Sequence, residues 1–387
     1  MKARVVEFFA GCGGTSLGFA QADKNLIEFE VVGGVELDPY AAATFERNLG
    51  VPLHVGDVRE LLEPERLRQV AQSWAGPGPL VVVGCAPCQG FSSHRKKDPR
   101  PDGRNSLIED FARIAVSLNP EVIVMENVPE MLSKQYWRHF TEWRRIVEEA
   151  GYNVKISIHN LAEFGVPQER FRALVIAAKW KHFAMPTPTH RPGQFATVRD
   201  AIGQLPPLLA GETDPLDPMH MTSRHRTSTV DLLKLIPHDG GSRRSLPEGV
   251  GLKCWDGVDG FRDVYGRLWW DRPAVAITAR CRTPSCGRFA HPEQDRGLTV
   301  REAALLQGFP KDIMFEGPFD DKFKQIGNAV SPIFARAVAE HIAGEWFANH
   351  LDQARSESHV DPVLPLTTSF SSTIASLKRA NRAEAAA

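Results

Sequence analysis

Apolar and polar positions alternate along the first 180 residues in a strand–helix rhythm. ARVVEFFAG (3–11) reads as a strand ending at glycine, TSLGFAQA (15–22) as a short helix, and FEVVGGVELD (29–38) as the next strand. DPYAAATFERNL begins with a helix cap at Asp38 and proline at the first helical position. PLHVGD (52–57) is a short strand and PLVVVGC (79–85) a buried one. SLIEDFARIAVSL (106–118) is an amphipathic helix and EVIVMENV (121–128) a strand. QYWRHFTEWRRIVEEAG is a helix stopped by Gly151, and VKISIHN and RALVIAA are two further strands. The order predicts an α/β fold with a doubly wound, mostly parallel sheet.

The rhythm breaks at the proline-rich MPTPTHRPGQ (185–194). QLPPLL, DPLDP, HDGGSRRSLPEG and WDGVDG are turn signals without a regular period. Helical patterns return at GLTVREAALLQGF, and QIGNAVSPIFARAVAEHIAGEWFANH reads as a loop followed by a long helix. The expected organisation is a discontinuous sheet domain of residues 1–185 plus 296–350. A loop-rich domain with its hinge is inserted over 186–295, and a polar tail covers 355–387.

Composition narrows the class rather than the function. The 387 residues are 42% hydrophobic and 24% charged, with a formal net charge of −1, so any nucleic-acid signal must be local. The six cysteines do not form a disulfide-framework pattern, and the expectation is an intracellular, cytoplasmic protein. No run approaches the roughly 18 apolar residues of a membrane span. MKARVVEFFAG lacks a signal-peptide cleavage site.

Doubly wound sheets bind ligands at the carboxyl ends of their strands. In chain order those ends carry FFAGCGG, then Glu36, Asp57, the pair Cys85 and Cys88, and Glu126 with Asn127. The glycine loop departs from G-x-G-x-x-G, with Ser16 at the third glycine, and it contains no G-K-[ST] and no basic residue. Glu36 suits ribose hydroxyls and Asp57 an exocyclic amine. These features favour an adenosine cofactor without a pyrophosphate, such as S-adenosylmethionine, over NAD.

CAPC has the spacing of a redox pair, yet Pro87 lies between the cysteines and no helix opens at the first. Zinc would need two more ligands, and Cys281 and Cys286 have an unusual spacing for that, so no metal is expected. The remaining reading is a single nucleophile, Cys88, with Cys85 a buried bystander. On this reading Cys85→Ser is tolerated and Cys88→Ser is not, whereas a redox enzyme would lose activity with Cys85→Ser. A thiolate can add to C6 of cytosine if an acid shares a proton with N3, and C5 then attacks an electrophilic methyl group. Glu126 is the candidate acid, and guanidinium groups of QERFR are candidates to hold O2.

With these motifs in order, the chain resembles the DNA (cytosine-5) methyltransferases from residue 4 to about 345. The resemblance is carried by FFAGCGG, VELDPYA, GDV, GCAPCQGFS, ENVPE, FGVPQERFR, RPAVAIT, GRFAHPEQDRGLTVREAALLQGFP and QIGNAVSP. It implies a Rossmann-like methyltransferase sheet with an inserted target-recognition domain. Cys88 would be the nucleophile, with Pro87 and Gln89 shaping its loop. Glu126 would contact N3 and the 4-amino group, Arg172 would contact O2, and Arg170 would brace Cys88 or its loop. S-adenosyl-L-methionine would meet Phe9, Ala10, Gly11, Gly13, Glu36, Leu37, Asp57, Val58, Leu107, Asn328 and Val330. Thr278 would help organise the recognition domain. Alanine in GNAV, where serine is also common in the family, leaves the assignment intact.

A duplex hides C6, so the target base must be flipped out. Loop 89–105 contains Arg95, Lys96, Lys97, Arg100 and Arg104 against two aspartates, and is expected to contact phosphates together with Ser92. In the insert, Arg224, His225, Arg226, Arg243 and Arg244 are the candidates for base-edge or phosphate contact. The expected partner is double-stranded DNA, with the enzyme acting as a monomer and a cognate restriction endonuclease acting separately. Transfer RNA methylation on the same fold is the alternative substrate class, disfavoured because no cysteine–phenylalanine–threonine stretch is present. A catalytically silent DNA-binding module is disfavoured because nucleophile and acid are both present.

Overall fold

The computed structural model describes residues 1–87, 106–134, 136–247, 249–252, 255 and 263–350. Cys88, Gln89, Ser92, Arg95, Lys96 and Lys97 lie outside the described residues, as does the tail expected over 355–387.

The strands are β1 (Lys2–Phe8), β2 (Glu28–Glu36), β3 (His54–Val55), β4 (Leu80–Gly84), β5 (Val122–Asn127), β6 (Asn153–Asn160), β7 (Gln168–Glu169), β8 (Phe171–Ala178) and β9 (Ala274–Val275). Seven of them form one sheet in the order β3-β2-β1-β4-β5-β8-β6. β1 to β5 pair in parallel, and β8 runs antiparallel between β5 and β6. β7 and β9 make a separate two-stranded parallel pair. The strand order reverses between β1 and β4, which places the ligand crevice of such a sheet at the carboxyl ends of these two strands.

Both faces of the sheet are covered, so its central strands are apolar throughout rather than alternating. All six residues of β5 are buried. Val5, Val81, Val83, Val122, Val124 and Ile176 face one core, with Phe334, Val338 and Ile342. Val6, Phe8, Val82, Ile123, Met125 and Val175 face the other, with Phe111, Phe140 and Trp143. Their neighbours in sequence thus enter opposite layers, as a period of two requires.

The helices on the sheet are α1 (Gly14–Ala20), α2 (Pro39–Leu49), α3 (Pro64–Ala71), α4 (Leu107–Ser117) and α5 (Trp137–Glu149). The Asp38 carboxylate caps α2 by accepting from the N–H groups of Tyr40 and Ala41, and Pro39 occupies the first turn. α3 is an addition to the sequence reading. It buries only Leu67, which leaves little apolar periodicity to detect. Further along are α6 (Val198–Ile202), α7 (Thr227–Lys234), α8 (Val300–Gln307), α9 (Phe319–Asn328) and α10 (Pro332–His350). The segment QIGN, expected as loop, is the last turn of α9.

α1 lies against α10, and two glycines allow the approach. A Cβ on Gly14 would stand 2.2 Å from the Val330 carbonyl oxygen, and one on Gly18 would stand 2.5 Å from the Pro332 carbonyl oxygen. A third core joins Val198, Met219, Leu268, Trp270 and Phe289 to Leu306 and Phe323 of α8 and α9, and to Leu17 of α1. The division expected at residue 296 falls inside this core. α8 starts with a capping box in which Thr299 and Glu302 each accept from the other's backbone N–H. The tryptophan pair of YGRLWW is structural. Trp270 is buried in the third core, and Trp269 lies under the guanidinium groups of Arg288 and Arg272, 4.0 and 5.0 Å from its ring centre.

Candidate active site

A cavity of about 720 Å³ opens at the carboxyl ends of β1, β2, β4 and β5, where the strand order reverses. Phe9, Ala10, Gly11, Glu36, Leu37, Asp57, Val58, Leu107, Asn328 and Val330 all line it, as do Pro87, Glu126, Arg170 and Arg172. Gly13 does not. It caps α1 in a left-handed conformation (φ 87°), and a Cβ there would meet the Phe45 ring at 2.9 Å, so the turn itself requires glycine.

One end of the cavity is acidic. Glu36 accepts from the Gly11 N–H at 2.7 Å and from the Asp38 N–H at 2.8 Å, which fixes the glycine loop to β2. Burial raises the Glu36 carboxyl above its ordinary range, against the pull of these two bonds. Glu7 is a charged residue inside a buried strand, the signal by which sequence could have found it. Its Oε2 accepts from the Ser16 N–H at 3.0 Å and the Ser16 hydroxyl at 2.5 Å, and burial raises it to about 7. Asp57 is held by the Arg59 guanidinium, which keeps it below the usual carboxylate range. Lys324 of α9 reaches Asp38 at 2.7 Å. Tyr40, Arg59 and Lys324 also line the cavity, though the sequence reading named none of them. Tyr40 stands in the first turn of α2, four residues after Glu36. Lys324 comes from a distant helix and left no local signal.

The other end carries the polar groups of β4, β5 and β8. Glu126 is buried, with Oε1 2.7 Å from Arg172 Nε and Oε2 accepting from Cys85 Sγ at 2.9 Å. Cys85, expected as a buried bystander, is not buried. It is half-buried, lines the cavity and touches the candidate acid. The Asn127 amide donates to the Ala86 carbonyl at 3.0 Å and so fixes the chain two residues before Cys88. Arg170 donates to the carbonyls of Ile277 (2.6 Å) and Gly327 (3.0 Å), so among the described residues its bracing acts between the insert and α9. Gln168 adds to that brace by donating to the Leu306 carbonyl and accepting from the Ile277 N–H, both at 3.0 Å. A Cβ on Gly327 would lie 2.1 Å from the Ala279 nitrogen, so the insert meets α9 in direct backbone contact beside Thr278.

Among the insert candidates, Arg224, Arg226 and Arg244 are exposed, and Arg243 lies over the Trp255 ring at 5.3 Å. The 223–226 strip meets segment 278–288 where the Ser223 hydroxyl donates to the Arg282 carbonyl at 3.5 Å, and it meets Gly297, whose N–H donates to His225 Nε2 at 3.0 Å. Neither TSRHRTSTV nor TARCRTPSCGR contains an acidic residue. Arg282 pairs with Asp320 at 3.2 Å, whereas Arg280 is exposed and has no ion-pair partner among the described residues. Among the described residues no group of three or more His, Cys, Asp or Glu side chains is arranged to hold a metal ion, and no helix is long and apolar enough to cross a membrane.

The model of the C-5 cytosine-specific DNA methylases matches residues 3–344. The chain belongs to that family. The methylase is 35% identical over 350 residues to the type II methylase M.HgiDII of Herpetosiphon aurantiacus, a match covering 88% of this chain and 95% of the relative. It is 34% identical to the type II methyltransferase M1.HphI of Haemophilus parahaemolyticus, covering 88% and 87%. Among solved structures, a prophage-encoded DNA modification methyltransferase of E. coli matches with a TM-score of 0.66 at 23% identity, covering 89% of the methylase and 99% of that chain. The Dnmt2 methyltransferase of S. pombe has a TM-score of 0.58 at 17% identity, covering 90% and 99%. These two structural likenesses support the fold, a Rossmann-like methyltransferase sheet. The methylase is a DNA cytosine-5 methyltransferase and acts on DNA.

Proposed function

We propose that the methylase transfers a methyl group from S-adenosyl-L-methionine to C5 of a cytosine flipped out of a short site in double-stranded DNA, through a covalent bond between Cys88 and C6. The carrying observation is Glu126, whose two oxygens are held by Arg172 and Cys85 on the wall of a cavity that Pro87, the residue before Cys88, also lines.

The cavity suits the cofactor. The Gly11 N–H that a phosphate would want is already given to Glu36, and Glu7 and Glu36 make this end favour a cation over a pyrophosphate. Leu37 and Val58 offer apolar surface for an adenine, Glu36 acceptors for ribose hydroxyls, and Asn328 and Val330 close the wall from the end of α9 and the turn that follows it. Bound there, S-adenosyl-L-methionine supplies an electrophilic methyl group. Cys88 acts as the nucleophile toward C6, and Glu126 shares a proton with N3 so that negative charge does not build on the ring. Arg172 orients Glu126 and donates to O2, and Arg170 fixes the insert against the catalytic wall. Once C5 carries its methyl group, loss of the C5 proton expels Cys88.

Residues 1–185 plus 296–350 would carry the chemistry and 186–295 the choice of site, with Arg224, Arg226, Arg243 and Arg244 of the insert and Ser92, Arg95, Lys96 and Lys97 of the loop on the DNA. The relatives named as type II methylases support a place in a restriction–modification system, with a separate endonuclease. The methylase would act as a cytoplasmic monomer. The test is transfer of labelled methyl groups to duplex DNA, with the product base identified by mass spectrometry. The reading expects 5-methylcytosine from the wild type and none from Cys88→Ser. Methylation of transfer RNA alone, or of no nucleic acid, would overturn it.

A further inference from the structure

We propose that His225 reads a guanine of the target site by donating its Nδ1–H to the guanine N7 in the major groove. This rests on the reading of the insert as the domain that chooses the site, and it gives that choice one residue and one atom.

A backbone N–H can only donate. The Gly297 N–H lies 3.0 Å from His225 Nε2, so Nε2 carries the lone pair. The proton of the neutral imidazole is then on Nδ1, and the free edge of the ring is a donor. Among the described residues nothing accepts from Nδ1. Burial holds the imidazole below its ordinary value, and the charges of Arg282 and Arg296 lower it further, so the ring stays neutral. Its inner edge is well anchored. Gly297 is buried, pairs with Ala290, and follows Arg296, which is fully buried against Glu302 at 2.7 Å. A Cβ on Gly297 would lie 3.2 Å from Nε2 and 2.7 Å from the Arg282 carbonyl oxygen, so glycine lets the backbone reach the ring. Thr222 and Ser223 are buried, and the Thr222 N–H donates to the Glu212 carbonyl at 3.0 Å.

The surroundings suit DNA. Arg224 and Arg226 flank His225 and are exposed, and residues 222–230 include no acid. The strip meets Arg282, on the segment that leads back to Ile277, whose carbonyl Arg170 holds beside the catalytic cavity. The two arginines carry the charge that phosphates attract. His225 brings a neutral donor instead. An edge that only donates favours a base edge that only accepts. Guanine presents N7 and O6 side by side in the major groove, whereas adenine sets an amino donor beside N7. Cytosine offers a donor there, and thymine sets a methyl group beside its single acceptor.

The wild-type site is first mapped by sequencing 5-methylcytosine in a library of random duplexes. Each guanine of that site is then replaced in turn by 7-deazaguanine, which lacks N7 and keeps its pairing with cytosine. kcat/KM for methyl transfer is measured for wild type, His225→Ala and His225→Gln. Glutamine can still accept from the Gly297 N–H but has no donor where Nδ1 stood. Cofactor binding by calorimetry checks that each variant is folded. At one guanine, 7-deazaguanine should lower wild-type kcat/KM about three- to tenfold, the worth of one hydrogen bond. Both variants should lose that sensitivity, keep the response at every other guanine, and accept other bases at that position. Variants that respond at every guanine as the wild type does would make His225 a structural acceptor and overturn the proposal. Loss instead of the response to one methylphosphonate linkage would put Nδ1 on a phosphate and also overturn it. If His225→Ala does not fold, the glutamine variant decides. A wild type that methylates no DNA would refute the reading of the enzyme itself, a separate failure.

Discussion

Arg172 sits two residues along β8 from Leu174, the ladder partner of Glu126, and its Nε closes on Glu126 Oε1 at 2.7 Å. Diagonal neighbours on one face of an antiparallel pair are within reach of a long side chain. The antiparallel strand β8 therefore delivers the guanidinium of QERFR to the glutamate of ENV.

Removing that guanidinium leaves a buried carboxylate without its cation. Arg172→Ala should lower kcat on duplex DNA by about 10²–10⁴-fold, the usual worth of a positioned acid–base group. Arg172→Lys keeps the charge but not the planar fork and should fall in between. Single-turnover methyl transfer measures both. Cofactor affinity should change little, because Arg172 lies at the far end of the cavity from Glu36.

The contact of α1 with α10 sets the cofactor wall. Gly14→Ala would drive a Cβ to 2.2 Å from the Val330 carbonyl, a clash with backbone that cannot rotate away. It should cost about 1–3 kcal/mol and weaken cofactor binding. Gly344→Ala on α10 meets nothing within 4 Å and should be neutral or stabilise by up to about 1 kcal/mol. Thermal melts with and without cofactor separate the two.

Arg280 is exposed beside the acid-free strip that includes Arg224 and Arg226, on a segment tied to the cavity through Ile277 and Arg170. Arg280→Ala should weaken binding to duplex DNA equally across sequences. The slope of log K against log salt should become shallower by about 1, as for loss of one phosphate contact. Fluorescence anisotropy over a salt series reads this. An unchanged slope would place Arg280 in solvent.

Glu302 lies fully buried with both oxygens on the Arg296 guanidinium, at 2.8 and 2.7 Å. Burial alone would raise its carboxyl. The Arg296 charge outweighs that and, with His291 and the Thr299 N–H, holds it at about 2. The folded value is below the ordinary 4.5, so the pair's stabilisation is full above about 4.5 and is lost as pH falls toward about 2. Urea unfolding of the wild type should show a midpoint that declines over that window. Glu302→Gln should be less stable at neutral pH, by about 3–5 kcal/mol, with that part of the decline absent.

Local chemistry made much of the sheet legible. The cap at Asp38, the proline after it, and the apolar runs of β4 and β5 depend on near neighbours, and the structure has them where the pattern put them. QIGN misled because glycine and asparagine usually mark a break. Here Gly327 stays helical and is required by the backbone of Thr278 and Ala279 packed on it. The contact of Cys85 with Glu126, and that of Lys324 with Asp38, depends on which strands and helices become neighbours, and no window of sequence contains it. Motif order located the ends of the strands, but the partners of each side chain came only with the topology.

The most direct test of the central claim is a covalent trap. Duplex DNA of random sequence carrying 5-fluorocytosine is mixed with the methylase and S-adenosyl-L-methionine, and the adduct is mapped by peptide mass spectrometry. Fluorine at C5 cannot leave as a proton does, so the account predicts a cofactor-dependent adduct on Cys88 that survives denaturation. A protein that binds cofactor and DNA yet gives no adduct, or gives one on Cys85, would contradict it.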